Sequence, residues 1–158
     1  MRSLFYFLPL IVVLVFTACS GQTKPPGLPP LFPCEITVTQ DGQPLAGANI
    51  VFYGGQTWVV GGGTGNNGVA KIYTQGTFEG APAGTYKVTV TKTVTEGGPT
   101  EADRNNPSYA GDGGTTYDTV DKQFRSVDTT PLEIEVQSGK NAKTLDVEKS
   151  VKVLQPKA

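Results

Sequence analysis

The sequence predicts an all-β protein: a single antiparallel β-sandwich of about seven strands, set behind a signal peptide and a proline-rich tether. Three observations predict it. Apolar and polar residues alternate with a period of two in several separated segments, the pattern of strands with one buried face. The 158 residues include 20 Gly and 12 Pro, many of them in turn-forming pairs between those segments. Hydrophobic residues make up 37%, which suits short strands and many turns better than long helices.

The first segment is a targeting signal. Met1-Arg2-Ser3 is a basic start, and residues 4–16 are almost wholly apolar. That run is shorter than a membrane-spanning helix needs. Val15-Phe16-Thr17-Ala18-Cys19 then resembles the bacterial lipobox, with Phe16 where Leu is usual. The resemblance implies cleavage before Cys19, a diacylglycerol on its sulfur and an acyl chain on the new amine. Residues 1–18 are therefore expected to be removed and Cys19 to hold the chain to a membrane. Two or three acyl chains anchor stably where one does not. Ser20 stands where an Asp would mark inner-membrane retention, which favours the outer membrane of a bacterial cell envelope.

Residues 19–33 form the expected tether. Pro25, Pro26, Pro29, Pro30 and Pro33 favour an extended polyproline course of roughly 40 Å. The domain is expected over 34–149, with 150–158 as a tail. It opens with Ile36 and Val38 alternating against Glu35, Thr37 and Thr39. Asp41-Gly42 turns the chain, Pro44 and Gly47 bracket a second turn, and Ile50 and Phe52 resume the alternation. Cys34 begins the first strand. With Cys19 lipidated it is a buried or an intermolecular thiol, burial being expected; without lipidation a Cys19–Cys34 disulfide is open to it.

The glycines of 61–65 lack the Gly-Lys-Ser/Thr of a phosphate loop and read as turns. Asn66-Asn67-Gly68 is a tight-turn signal, and 69–74 is a strand whose inward face is open between Val69, Lys71 and Tyr73 and Ala70, Ile72 and Thr74, with Ala70 and Ile72 the plainer core pair. Tyr86, Val88 and Val90 mark the clearest strand. Residues 95–117 hold no period and read as an irregular loop. Residues 121–128 are expected as a turn of helix or a bridging strand. Leu132, Ile134 and Val136, then Leu145 and Val147, mark the last two strands.

Three phrases now stand together. Residues 39–50, TQDGQPLAGANI, match "T-x-D-G-x-P-L-x-G-A-x-V". Residues 64–70, TGNNGVA, are similar to "T-D-x-x-G", and 83–90, AGTYKVTV, to "x-G-x-Y-x-V-x-V". Residues 129–141 extend the likeness through "T-x-P-L-x-I-x-V-x-x-G-x-N". The set resembles the carboxypeptidase regulatory-like domain, including small planctomycete-type lipoproteins that carry it. The resemblance implies a transthyretin-like (prealbumin-like) sandwich that is not itself a peptidase and that acts as a spacer or interaction module. Gly65 departs from the usual acid.

Function classes narrow by composition. Net charge is −1 without clustered Lys or Arg, so no nucleic-acid partner is expected. His is absent, which removes the usual general base and the commonest metal ligand. No Ser-x-x-Lys spacing or nucleophile elbow appears. The expectation is a non-enzyme with no cofactor. The alternative is a carbohydrate- or calcium-binding module built on 95–117. Glu101, Asp103, Asn105, Asp112 and Asp118 offer oxygen ligands but lack the twelve-position calcium loop. Trp58, Tyr109 and Tyr117 offer rings for sugar stacking, though such aromatics more often pack on sheet edges. A glycan or protein partner is left open.

Overall fold

The computed structural model describes residues 23–54, 57–106, 108, 111 and 113–156. The expected signal segment 1–18, Cys19, Tyr109 and Asp112 lie outside them. Among the described residues there are fifteen strands and two four-residue helices. In chain order the strands begin β1 (Leu31–Phe32), β2 (Cys34–Gln40), β3 (Gln43–Pro44), β4 (Asn49–Tyr53), β5 (Val60–Gly63), β6 (Val69–Lys71), β7 (Tyr73–Thr74) and β8 (Phe78–Glu79). They continue β9 (Ala81–Pro82), β10 (Gly84–Thr91), β11 (Thr93–Glu96), β12 (Thr115–Asp118), β13 (Glu133–Val136), β14 (Asn141–Asp146) and β15 (Val153–Leu154). Helix α1 is Glu101–Arg104 and α2 is Lys122–Arg125.

The expected all-β class holds, arranged as several sheets. A six-stranded sheet runs β13-β10-β4-β5-β7-β8, and a second is built on β2, with β14 on one side and β3 and β6 on the other. Buried side chains of both form one sandwich-like core. The alternation of β2 is the reason it belongs there: Cys34, Ile36, Val38 and Gln40 are buried and the residues between them are not. The alternating residues Ile36, Val38, Ile50, Phe52, Ile72, Tyr86, Val88, Val90, Ile134, Val136, Leu145 and Val147 are buried, and Leu132 is half-buried against them. Val60, Val120 and Phe124 join them without a sequence periodicity to announce them.

Several expectations need correction. The pairing is not wholly antiparallel: β14 runs parallel to β2 from Asn141↔Cys34 to Asp146↔Thr39. A parallel neighbour requires a crossover. Here the chain leaves the β13 edge of one sheet and enters the other beside the start of β2. Asn141 sets that entry. Its N–H donates to Pro33 O at 2.9 Å, its Nδ2 to Gln137 O at 2.9 Å, and its Oδ1 accepts from Gln137 N. The 69–74 run is divided as well. β6 pairs with β2 and β7 with β5, so the chain changes sheets at Ile72.

The tether is not simply extended over its described part. Leu28 N donates to Pro25 O at 3.2 Å, closing a turn around Pro26 and Gly27, the latter at φ 84°. Proline presets the first central φ of such a turn and glycine takes the positive second one. β1 then pairs with β9. The 95–117 loop is also more ordered than expected at its ends. β11 pairs with β12 and β12 with β15, a third, three-stranded sheet that takes in part of the 150–158 tail. Thr95, Thr115 and Thr116, which fell in the stretch read as irregular for want of a period, are β-branched and suit strands. Thr95 and Thr116 hydroxyls meet across it at 3.0 Å. Residues 121–128 resolve to helix α2, capped by Asp121 and pinned by buried Phe124.

Candidate functional site

Two of the phrases that stood apart in sequence, 39–50 and 64–70, meet at one corner. The Thr64 hydroxyl donates to Leu45 O at 2.6 Å and accepts from Ala48 N at 2.8 Å. Backbone bonds Gly47 N to Thr64 O and Thr64 N to Ala48 O close the same ring. Gly68, at φ 72°, lies against Pro44 so closely that a Cβ would stand 2.7 Å from the proline Cβ. Tyr86 completes the set from the far end of β10: its buried hydroxyl donates to Pro82 O at 2.8 Å, four residues upstream. That is the bond of a tyrosine corner. These residues are spent on structure and leave no reactive group.

Of the expected ligand surface, the described residues Trp58, Asp103 and Tyr117 lie in three different segments of the fold. Trp58 is half-buried in the β4–β5 connection of the six-stranded sheet. Tyr117 is half-buried on β12 in the three-stranded sheet, and the Lys152 ammonium sits 4.3 Å from its ring centroid. One ring face is thereby occupied. Asp103 closes a capping box at α1: its carboxylate accepts from the Thr100 hydroxyl at 2.6 Å and N–H at 2.8 Å. These bonds hold its carboxyl below the ordinary range. Asp118 is buried beside Arg125 and accepts from Gln155 Nε2 at 2.8 Å. Two of the expected calcium ligands are thus engaged by the protein itself. Sequence spacing gave no sign of Arg125 or Gln155 as partners of Asp118.

A cleft of about 630 Å³ lies at the end of β2 away from the tether, lined by Asp41, Asp121, Asp146, Glu148 and Lys149. Three of its carboxylates cap backbone, and that of Glu148 accepts from Gln123 Nε2 at 3.5 Å. Asp41 Oδ2 accepts from Ser150 N at 3.0 Å, Asp121 Oδ1 from Gln123 N at 2.9 Å, and Asp146 Oδ1 from Glu148 N at 3.2 Å. Among the described residues no three His, Cys, Asp or Glu side chains group as metal ligands.

Cys34 is a buried free thiol, as expected from its place at a strand start. Burial, with a smaller push from the Glu35 carboxylate, raises it to about 11. The native state therefore keeps its proton above the pH at which the unfolded chain loses it, near 9. Stability present below pH 9 is expected to fall as pH rises from about 9 to 11, because the unfolded state then binds fewer protons. Denaturant titrations across that window check it: Cys34→Ala should flatten the decline, and an unchanged slope would refute the assignment.

Comparisons with family models, with curated proteins and with solved structures found no match to this chain.

Proposed function

We propose that this protein is a non-catalytic, lipid-anchored module of the bacterial cell envelope, a transthyretin-like sandwich that serves as a spacer and interaction surface. In this reading the seven sandwich strands are β2, β4, β5, the β6–β7 run, β10, β13 and β14. The three-stranded sheet and both helices are additions to it. The observation that carries the fold side is the corner at Thr64. Two of the phrases behind the carboxypeptidase regulatory-like resemblance, 39–50 and 64–70, touch there through Thr64, Leu45, Ala48, Pro44 and Gly68. The anchor side rests on the residues before Cys19. No helix among the described residues is long and apolar enough to cross a membrane. Attachment in this reading is through lipid, in the outer membrane.

Polarity along β2 supports presentation. The tether enters at Pro33, one end of β2, and the acidic cleft lies at the other. Seven residues at ~3.3 Å each separate the two ends by roughly 20 Å. The anchor is tested by intact mass of the detergent-extracted protein. The expected product begins at Cys19 and carries acyl mass, and Cys19→Ser abolishes both. An unmodified Cys19 in the membrane fraction would refute it.

The second reading, glycan or calcium on 95–117, draws less support, because Tyr117, Asp103 and Asp118 already have protein partners. Millimolar calcium is accordingly expected to leave the thermal midpoint unchanged. A ligand at a hundred times its Kd would raise it by about 4 °C or more, and such a rise would favour the second reading.

A further inference from the structure

The three-stranded sheet is closed by a segment that the core does not hold. No side chain from Glu148 to Pro156 is buried. Val153 and Leu154 of β15 are 45% and 61% exposed, although they pair with Asp118 and Tyr117. What holds them is polar and local. Val151 N donates to Thr119 O at 3.1 Å and Gln155 N to Thr116 O at 2.9 Å. Lys152 Nζ reaches both Glu96 oxygens, at 2.8 and 2.7 Å, and stands over the Tyr117 ring. Gln155 Nε2 donates to Asp118. The chain enters this segment through Glu148, a non-glycine residue at φ 57°. Segments with few buried apolar contacts and exposed backbone bonds open far below the cost of global unfolding.

We propose that residues 149–156 are a releasable strap, and that the β12 edge beneath them is an acceptor for an extended polypeptide strand. The seated strap shows what that edge takes. Glu96 receives a cation, Tyr117 lies beside an apolar residue two positions later, and Asp118 receives the amide that follows. When the strap leaves, Thr116 O loses the Gln155 N–H, Thr119 O loses the Val151 N–H and keeps Gln40 Nε2, and the acidic pair Glu96 and Asp118 flanks an open strand edge. A strand with a basic residue two places before an apolar one, followed by an amide side chain, restores every contact. Backbone pairing supplies affinity and the flanking acids supply selectivity, as in strand addition generally. The proposal concerns the folded domain and does not depend on a lipid at Cys19.

The test uses the full chain. Hydrogen exchange of the wild-type protein should show the Val151 and Gln155 amides opening at least about tenfold faster than the Val88 amide of the core. Lys152→Ala should quicken both by a further factor of about three to ten and leave Val88 unchanged. A fluorescent peptide of residues 149–156 should then bind the Lys152→Ala protein saturably and bind wild type more weakly, because the strap competes. Adding Glu96→Gln to the Lys152→Ala protein should weaken the peptide again. Strap amides that exchange in step with Val88 in wild type would overturn release, and that measurement needs no variant. A peptide that fails to saturate a Lys152→Ala protein with protected Val88 would overturn the acceptor edge.

Discussion

Gly62→Ala is expected to cost about 3 kcal/mol of folding stability. A methyl at that position runs into the carbonyl oxygen of Lys71, with Ile72 Cδ1 just behind. Gly61 has the same constraint against Ile50 O. The two glycines therefore mark the seam where β5 passes between β4 and the chain leaving β6. Backbone atoms on both sides cannot yield as a side-chain tip does. Gly76→Ala is the control. It has a positive φ, 67°, which Gly62 does not, but open space around it, and should cost only about 1 kcal/mol. Urea unfolding of the three proteins measures the contrast. A Gly62→Ala protein within about 1 kcal/mol of wild type would show that this close approach does not exist.

The second large effect is expected from Arg125→Met, at about 3 kcal/mol. It leaves the Asp118 carboxylate in place with its side chain 8% exposed and only Gln155 to meet it. An unpaired buried charge costs more than the pair contributes, so the loss chiefly measures the stranded carboxylate. The double variant Asp118→Leu/Arg125→Met should recover most of it. Because Asp118 lies on β12 and Arg125 on α2, the pair joins the three-stranded sheet to the helix that packs Phe124 into the core. Loss of β12 amide protection ahead of the core in Arg125→Met would place the effect at that joint. A double variant no more stable than the single would show that the charge is not what matters there.

These effects divide along a line that the residues themselves draw. Alternation in 34–40, 49–53 and 84–91 made strands and their inward faces legible, and every core position read from it is buried. Turn chemistry at Asp41-Gly42 and Asn67-Gly68 was legible for the same reason: positive φ belongs to residues that tolerate it. Phe124 was not, because one apolar residue in a four-residue helix carries no period. Thr95, Thr115 and Thr116 fell in a stretch, 95–117, that holds no period and read as loop, and only the pairing of β11 with β12 made them strands.

The candidate ligand residues divide in the same way. Asp103, Tyr117 and Asp118 have the chemistry to bind something, and their types were plain from the chain. Whether they remain available depends on Thr100, Lys152, Arg125 and Gln155, and in the last three the partner arrives from another element.

By itself the sequence determined the all-β class, the places where the chain turns and the faces that go inward. Each follows from sterics and burial over two to four neighbouring residues. Only the tertiary structure decided that β14 lies parallel to β2, that the chain changes sheets at Ile72, and that residues 153–154 close the β12 edge. Those choices rest on contacts between residues as far apart as Thr39 and Asp146, where no local preference selects one neighbour over another and the packing of the whole core does.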